Sequence, residues 1–315
     1  MQVLVFSGGI VVSYSIEWKD FKKYNKSEQL LAYLKKQPYK HTHYYHYTSL
    51  DNANRILESN SFRIFPVVGF NDEEDKKQYV NEQHKVFCLC FSTGVNENLP
   101  LWYLYSGISG KGARVGFTSS KIEKLIHDSI YTLHKLTYKE NGRAELDENV
   151  LLTLKQGVSM EMEFRDMVYS RFDDKKNNWQ LKYNNMTNYN FKKAEFEKFK
   201  NQYRGFNKGL IWFYEKETRL YIKLIGEATD LVQDSTNAVT AQYAIKMTFP
   251  AEIKKEIEIM LAPEIKDFSE LDIQKYYSII DLKKKTSNVK LSYYKGGIKM
   301  NLCGRCDKIN KGETK

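Results

Sequence analysis

The chain has 315 residues, 42% of them hydrophobic, which supports a sizeable core and excludes a disordered tail. A formal charge of +10 favours an acidic partner, nucleic acid first among them, although a Lys-rich composition alone produces the same excess. Four cysteines in this length exclude a disulfide framework and set the expectation of a reducing, cytoplasmic setting without membrane partners.

Residues 1–40 are predicted as an appendage. Their opening, MQVLVFSGGIVVSYSI, lacks a basic start and a small-residue cleavage pattern and reads as a strand pair around Gly8-Gly9, not a signal or a membrane span. Trp18 to Lys36 is Lys-rich, with Leu30, Leu31 and Leu34 at helical spacing. The organising stretch follows, HYYHYTSLDNANRILESN from His43 to Asn60. Its aromatic run is expected to form a strand. Leu50, Ala53 and Leu57 then give the stripe of a short helix. Thr48 or Ser49 suits the helix cap, with Asp51 in a capping-box position and Asn60 at a left-handed exit. His46 therefore stands beside a helix N-terminus, where free N–H groups favour an anion or a ligand hydroxyl, and it is the first functional anchor.

Phe62, Ile64, Val67 and Val68 suggest a second strand broken at Pro66, and Asn71 to Asp75 an acidic loop. Val86 to Phe91 is continuously apolar, as in a strand buried on both faces, with Cys88 and Cys90 as core residues. After LPLWYLY at Leu99 to Tyr105 and a Gly/Ser loop, Ala113 to Phe117 reads as a strand. A helix with Ile122, Leu125 and Ile126 inward comes next.

Between Lys175 and Lys208 the chain carries nine Lys or Arg against two Glu, with eight Asn and eight aromatics. One reading is an amphipathic helix burying Phe196, Phe199 and Tyr203. The other is a nucleic-acid contact in which Lys182, Lys192 and Lys193 meet phosphates and Trp179 or Tyr183 stacks on a base.

The second anchor is IWFYEKETRLYIKL, Ile211 to Leu224, read as one strand with Glu215, Glu217, Arg219 and Tyr221 on one face. A solvent-facing Glu–Arg strand is the bland reading of this pattern. Strands at Tyr243 to Phe249 and Ile257 to Leu261, a helix at Leu271 to Ile280 and a Lys-rich end complete the chain. Cys303-Gly304-Arg305-Cys306 is a single CxxC, too few ligands for a zinc site, and no metal is expected. A nuclease recruiting Glu215, Glu217, Asp72 and Lys216 around a metal is a third, weaker reading.

The motifs HYTSL, FND at Phe70 to Asp72, FS at Phe91-Ser92, LWxxY at Leu101 to Tyr105, GF at Gly116-Phe117 and YExExR at Tyr214 to Arg219 occur in that order. Together, over roughly residues 44 to 265, they resemble the bacterial domain-of-unknown-function 2971 family. Where that family often reads W-x-H-Y, this chain has Trp102-Tyr103-Leu104-Tyr105. The first strand and helix, with the late Glu, also resemble the ADP-ribosyltransferase superfamily, including DarT-type DNA-modifying toxins.

The resemblance implies an α+β fold, an ADP-ribosyltransferase-like core of two small packed sheets over residues 41–265. The basic aromatic span at about 175–208 is then an insertion and 266–315 a helical, basic tail. It implies NAD as substrate, bound by His46, Tyr47, Thr48 and Trp102, with Tyr105, or else Tyr103, stacked on nicotinamide. Glu217, or Glu215, is the implied catalytic carboxylate. A carboxylate opposes the positive charge that develops on ribose as nicotinamide leaves, and an aromatic ring holds the flat pyridinium. The expected function is mono-ADP-ribosyl transfer, or NAD cleavage, onto a nucleic-acid or protein acceptor, in a toxin or anti-phage effector. The alternative is a non-catalytic module binding nucleic acid or a phage protein on the same fold.

Overall fold

The stretch HYYHYTS is strand β1 (His43–Ser49), and it lies in the middle of a seven-stranded sheet. In the computed structural model the described residues are 34, 39–70, 72–79, 81–94, 96–105, 111–138, 144–183, 189–226, 232–233 and 242–294. Most of the predicted appendage, and the CxxC at Cys303, lie outside them.

Helix α1 (Leu50–Ser59) follows β1 directly. Of the two capping candidates Ser49 is the one that acts, accepting from Asn52 N, and Asn60 closes the helix at φ 46°. Asp51 accepts from the Tyr276 hydroxyl at 2.9 Å. Leu50, Ala53 and Leu57 are all buried, as their spacing predicts.

The chain then runs through β2 (Ser61–Ile64), α2 (Glu73–Lys77), β3 (Val86–Ser92), α3 (Leu99–Tyr105), β4 (Gly112–Thr118) and α4 (Ser119–Asp128). After them come β5 (Ile130–Tyr138), β6 (Ala144–Leu154), β7 (Ser159–Asp166), β8 (Val168–Asp173), β9 (Asn178–Lys182), β10 (Tyr189–Phe191) and α5 (Lys193–Gln202). The last part holds β11 (Asn207–Gly209), β12 (Glu217–Ile225), β13 (Val232–Gln233), β14 (Tyr243–Thr248), α6 (Ala251–Lys254), β15 (Glu258–Leu261), α7 (Tyr277–Lys285) and β16 (Val289–Leu291). The fold is mixed α+β.

Where two small sheets were expected, the described residues form three. The seven-stranded sheet has the order β16-β15-β4-β1-β3-β12-β7, beside a five-stranded β13-β6-β5-β14-β2 and a four-stranded β10-β9-β8-β11. Pleating sends alternate residues to opposite faces, so the large sheet serves two cores. One face supplies Tyr44, Phe91, Phe117, Leu220 and Ile222 to a core shared with Leu133 and Ile245 of the five-stranded sheet. The other supplies Cys88 and Tyr221 to a second core with Tyr169, Leu181, Phe196, Phe199 and Tyr203. The basic aromatic span is thus a packed layer in its own right, and its expected apolar helical face is α5.

Three local expectations change. The acidic run is not a loop: Asp72 caps α2, accepting from Glu74 N and Asp75 N. The helix expected at Leu271 to Ile280 starts at Tyr277, because Asp272 holds a turn by accepting from Gln274 N and Lys275 N. Ile211 to Leu224 is not one strand. Leu210–Glu215 is a 3-10 turn, Lys216 takes φ 45°, and β12 begins only at Glu217. Among the described residues no helix is long and apolar enough to cross a membrane.

Candidate active site at the start of β12

β3 pairs with both neighbours through Ser92, opposite Tyr45 on β1 and Glu217 on β12. Directly paired residues share a face, so Tyr45, Ser92 and Glu217 form one row across the sheet. Gly116 on β4 makes room for the first of them, since a Cβ there would lie 2.9 Å from the Tyr45 ring. Arg114 covers that ring with its guanidinium 3.9 Å from the centroid.

Glu217 sits in a buried charge network. It accepts from Arg219 Nε at 2.8 Å and lies 3.4 Å from Lys208 Nζ. Its backbone N–H donates to the Tyr169 hydroxyl at 2.8 Å. Arg219, 1% exposed, also grips Asp75 with both terminal nitrogens, at 3.2 and 2.8 Å, and donates to Gly205 O at 2.9 Å. Glu215 accepts from Lys208 Nζ at 2.7 Å and from the Tyr105 hydroxyl at 3.4 Å.

The two carboxyls are driven apart by their surroundings. Burial pushes Glu215 up to about 7, and the negative charge of Glu217 adds to the rise. Burial works the same way on Glu217, but Arg219 and Lys208 outweigh it and hold that carboxyl at about 2. Neighbouring carboxyls split in this way supply one fixed anion and one group that exchanges a proton near neutrality. Burial also raises the Tyr105 hydroxyl, helped by the charge on Glu215, so it is a hydrogen-bond donor at neutral pH.

The raised carboxyl has a consequence for stability. A folded-state pKa above the ordinary value of 4.5 means that the contribution of Glu215 is full below that value and is lost as pH rises towards 7. Urea unfolding at pH 5 and pH 8 is expected to show the native chain losing stability relative to Glu215→Gln over that interval. Parallel pH dependences of the two proteins would remove the assignment.

The residues anticipated for NAD divide between the two faces. Tyr47 and Trp102 lie on the Glu217 face, their rings edge to face at 4.8 Å. Tyr47 accepts from Asn98 N at 3.0 Å and Trp102 donates to Glu97 at 3.0 Å, which fixes the helix ending in Tyr105. Tyr105 remains 41% exposed and Tyr103 61%.

His46 and Thr48 are not brought to this place. The His46 ring rests edge-on against Phe62 and Phe91, on the opposite face of the sheet, with Nδ1 3.0 Å from Cys90 O. Burial lowers its pKa, so the ring is neutral. Thr48 accepts from Asn52 Nδ2 at 3.1 Å, and both residues line a separate cleft with Arg55 and Arg63.

The nucleic-acid candidates are dispersed too. Trp179 stacks on Phe196 at 4.0 Å, so that ring face is closed to a base, and the Lys182 ammonium lies 3.6 Å over Phe213. Lys192 and Lys193 are exposed at the start of α5.

Tyr45, Ser92, Lys208 and Asp75 were not anticipated as site residues. The two-residue alternation of HYYHYTS signals Tyr45, because it sets Tyr45 and Tyr47 on the face away from His46. Among the described residues no group of three or more His, Cys, Asp or Glu side chains is placed to hold a metal ion. No family model, no curated protein and no solved structure matches this chain.

Proposed function

We propose that the chain is an NAD-dependent mono-ADP-ribosyltransferase, or an NAD-cleaving relative, on the ADP-ribosyltransferase-like core that its motifs resemble. The observation that carries this reading is the meeting of an ionised Glu217, a Glu215 that titrates near neutrality and a half-open Tyr105 ring at the start of β12. Glu217 opposes the positive charge on the ribose as nicotinamide departs. Tyr105 holds the cationic pyridinium by its ring. Glu215 takes the proton of the acceptor nucleophile, with Lys208 fixing its orientation at 2.7 Å. The reading does not rest on His46. In the row of Glu217 and Ser92 the first strand supplies Tyr45, not His46.

A second reading has its own observation. Glu215 and Glu217 are only 4% and 6% exposed and are neutralised by Lys208 and Arg219, the arrangement of a structural lock in a non-catalytic binding module.

One experiment separates them. The chain is incubated with labelled NAD and DNA, RNA or lysate protein, and nicotinamide release and label transfer are followed. Release supports the transferase reading, and the labelled fraction identifies the acceptor. NAD neither bound nor consumed, together with salt-dependent nucleic-acid binding, leaves the binding module.

A further inference from the structure

Beside Lys208, between α2, α5 and β11, a pocket with a cavity volume of about 90 Å³ opens to solvent. Two buried donors among the residues that line it have no partner among the described residues, Asn207 Nδ2 and Trp179 Nε1. Asn207 is 5% exposed and its amide is oriented by Ser170, whose hydroxyl donates to Oδ1 at 3.0 Å. Trp179 also lines the pocket, and its stack on Phe196 closes one ring face. An N–H group buried without an acceptor is costly, and a ligand oxygen would recover that cost. The carboxylate of Glu74, on the same wall, offers an acceptor to a ligand N–H.

This inner pocket continues through Gln78 and Lys200 into a wider groove that also carries Lys77, Arg204 and Glu197. Arg204 is engaged by Glu82 at 2.9 Å, and Lys77 and Lys200 supply the remaining positive charge. The inner end is thus matched to a carbonyl adjoining an N–H, and the outer end to an anion.

We propose that this groove binds a nucleotide unit, its base edge on Asn207, Trp179 and Glu74 and its phosphate over Lys77 and Lys200. The inference is independent of NAD cleavage and concerns a site behind the carboxylate pair.

The test is calorimetric titration of the whole chain with the four common nucleoside monophosphates, the matching nucleosides, inorganic phosphate and a short single-stranded oligonucleotide. At least one monophosphate is expected to bind, and the nucleoside more weakly. Trp179→Phe keeps the stack on Phe196 and loses the N–H. Asn207→Asp keeps the acceptor for Ser170 and replaces the donor. Each is expected to weaken binding about tenfold or more, with melting temperatures recorded alongside to confirm folding. Lys200→Ala is expected to weaken the monophosphate and leave the nucleoside unchanged. Tighter binding of the oligonucleotide than of the free monophosphate identifies a nucleic-acid strand as the source, and the reverse order a free nucleotide. The proposal is overturned if neither nucleotide nor oligonucleotide binds, if both folded inner-pocket variants bind as the native chain does, or if inorganic phosphate binds as tightly as the monophosphates.

Discussion

Replacing Arg219 with alanine is expected to cost about 3–5 kcal/mol of folding stability, the range for removing one partner of a buried ion pair. Arg219 is nearly inaccessible and serves three acceptors at once, a bidentate Asp75, Glu217 and the carbonyl of Gly205. Asp75 is equally buried, so the truncation strands its charge without its ion-pair partner, and Lys208 is the cation left beside Glu217 among the described residues. Guanidinium chloride unfolding measures the loss. Arg219→Lys restores one charge without the planar fork and is expected to fall between native and alanine. Adding Asp75→Asn to Arg219→Ala is expected to return part of the loss, because the stranded carboxylate is then gone. A single Arg219→Ala substitution costing less than about 1 kcal/mol would show that water reaches the network and that its burial is not what sets its strength.

That network explains what was legible in the chain and what was not. β1, β3, β4, β14 and β15 were readable because each carries its burial in a local pattern, alternating or continuously apolar. α1 was readable because its stripe and its caps are adjacent in sequence. Asp75 was not, since an acidic run looks solvated until its partner is known, and Arg219 lies 144 positions away. The turn at Leu210–Glu215 was hidden for a related reason. Its residues alternate well enough for a strand, and what ends the alternation is the left-handed Lys216 together with the pairing of Glu215 to Lys208. Lys208 itself sits in a span whose composition suggests phosphate contacts, yet its nearest partners are the two glutamates. His46 carries a further lesson. A motif selects a residue by chemical type, but the pleat of β1 decides which core that residue faces, and it gives the Glu217 side to Tyr45 and Tyr47.

The largest effect expected on activity, under the transferase reading, is at Glu217. Glu217→Gln keeps the volume and a hydrogen-bonding group but removes the fixed negative charge, and nicotinamide release is expected to fall about 100- to 1,000-fold, the usual scale for losing one electrostatic stabiliser of a transition state. Glu215→Gln is expected to separate the two halves of the reaction, depressing transfer to the acceptor more than cleavage, because a base acts on the nucleophile and not on the glycosidic bond. The pH profile distinguishes the same roles. Glu217, held at about 2, is ionised throughout the working range and contributes no slope near neutrality. Glu215, raised to about 7, must lose its proton to act as a base, so transfer should rise through that pH in the native chain and lose the rise in Glu215→Gln. Cleavage that persists unchanged in Glu217→Gln would move the chemistry away from β12. The buried pair would then be the structural lock, and its split protonation a by-product of packing two carboxylates against Lys208 and Arg219.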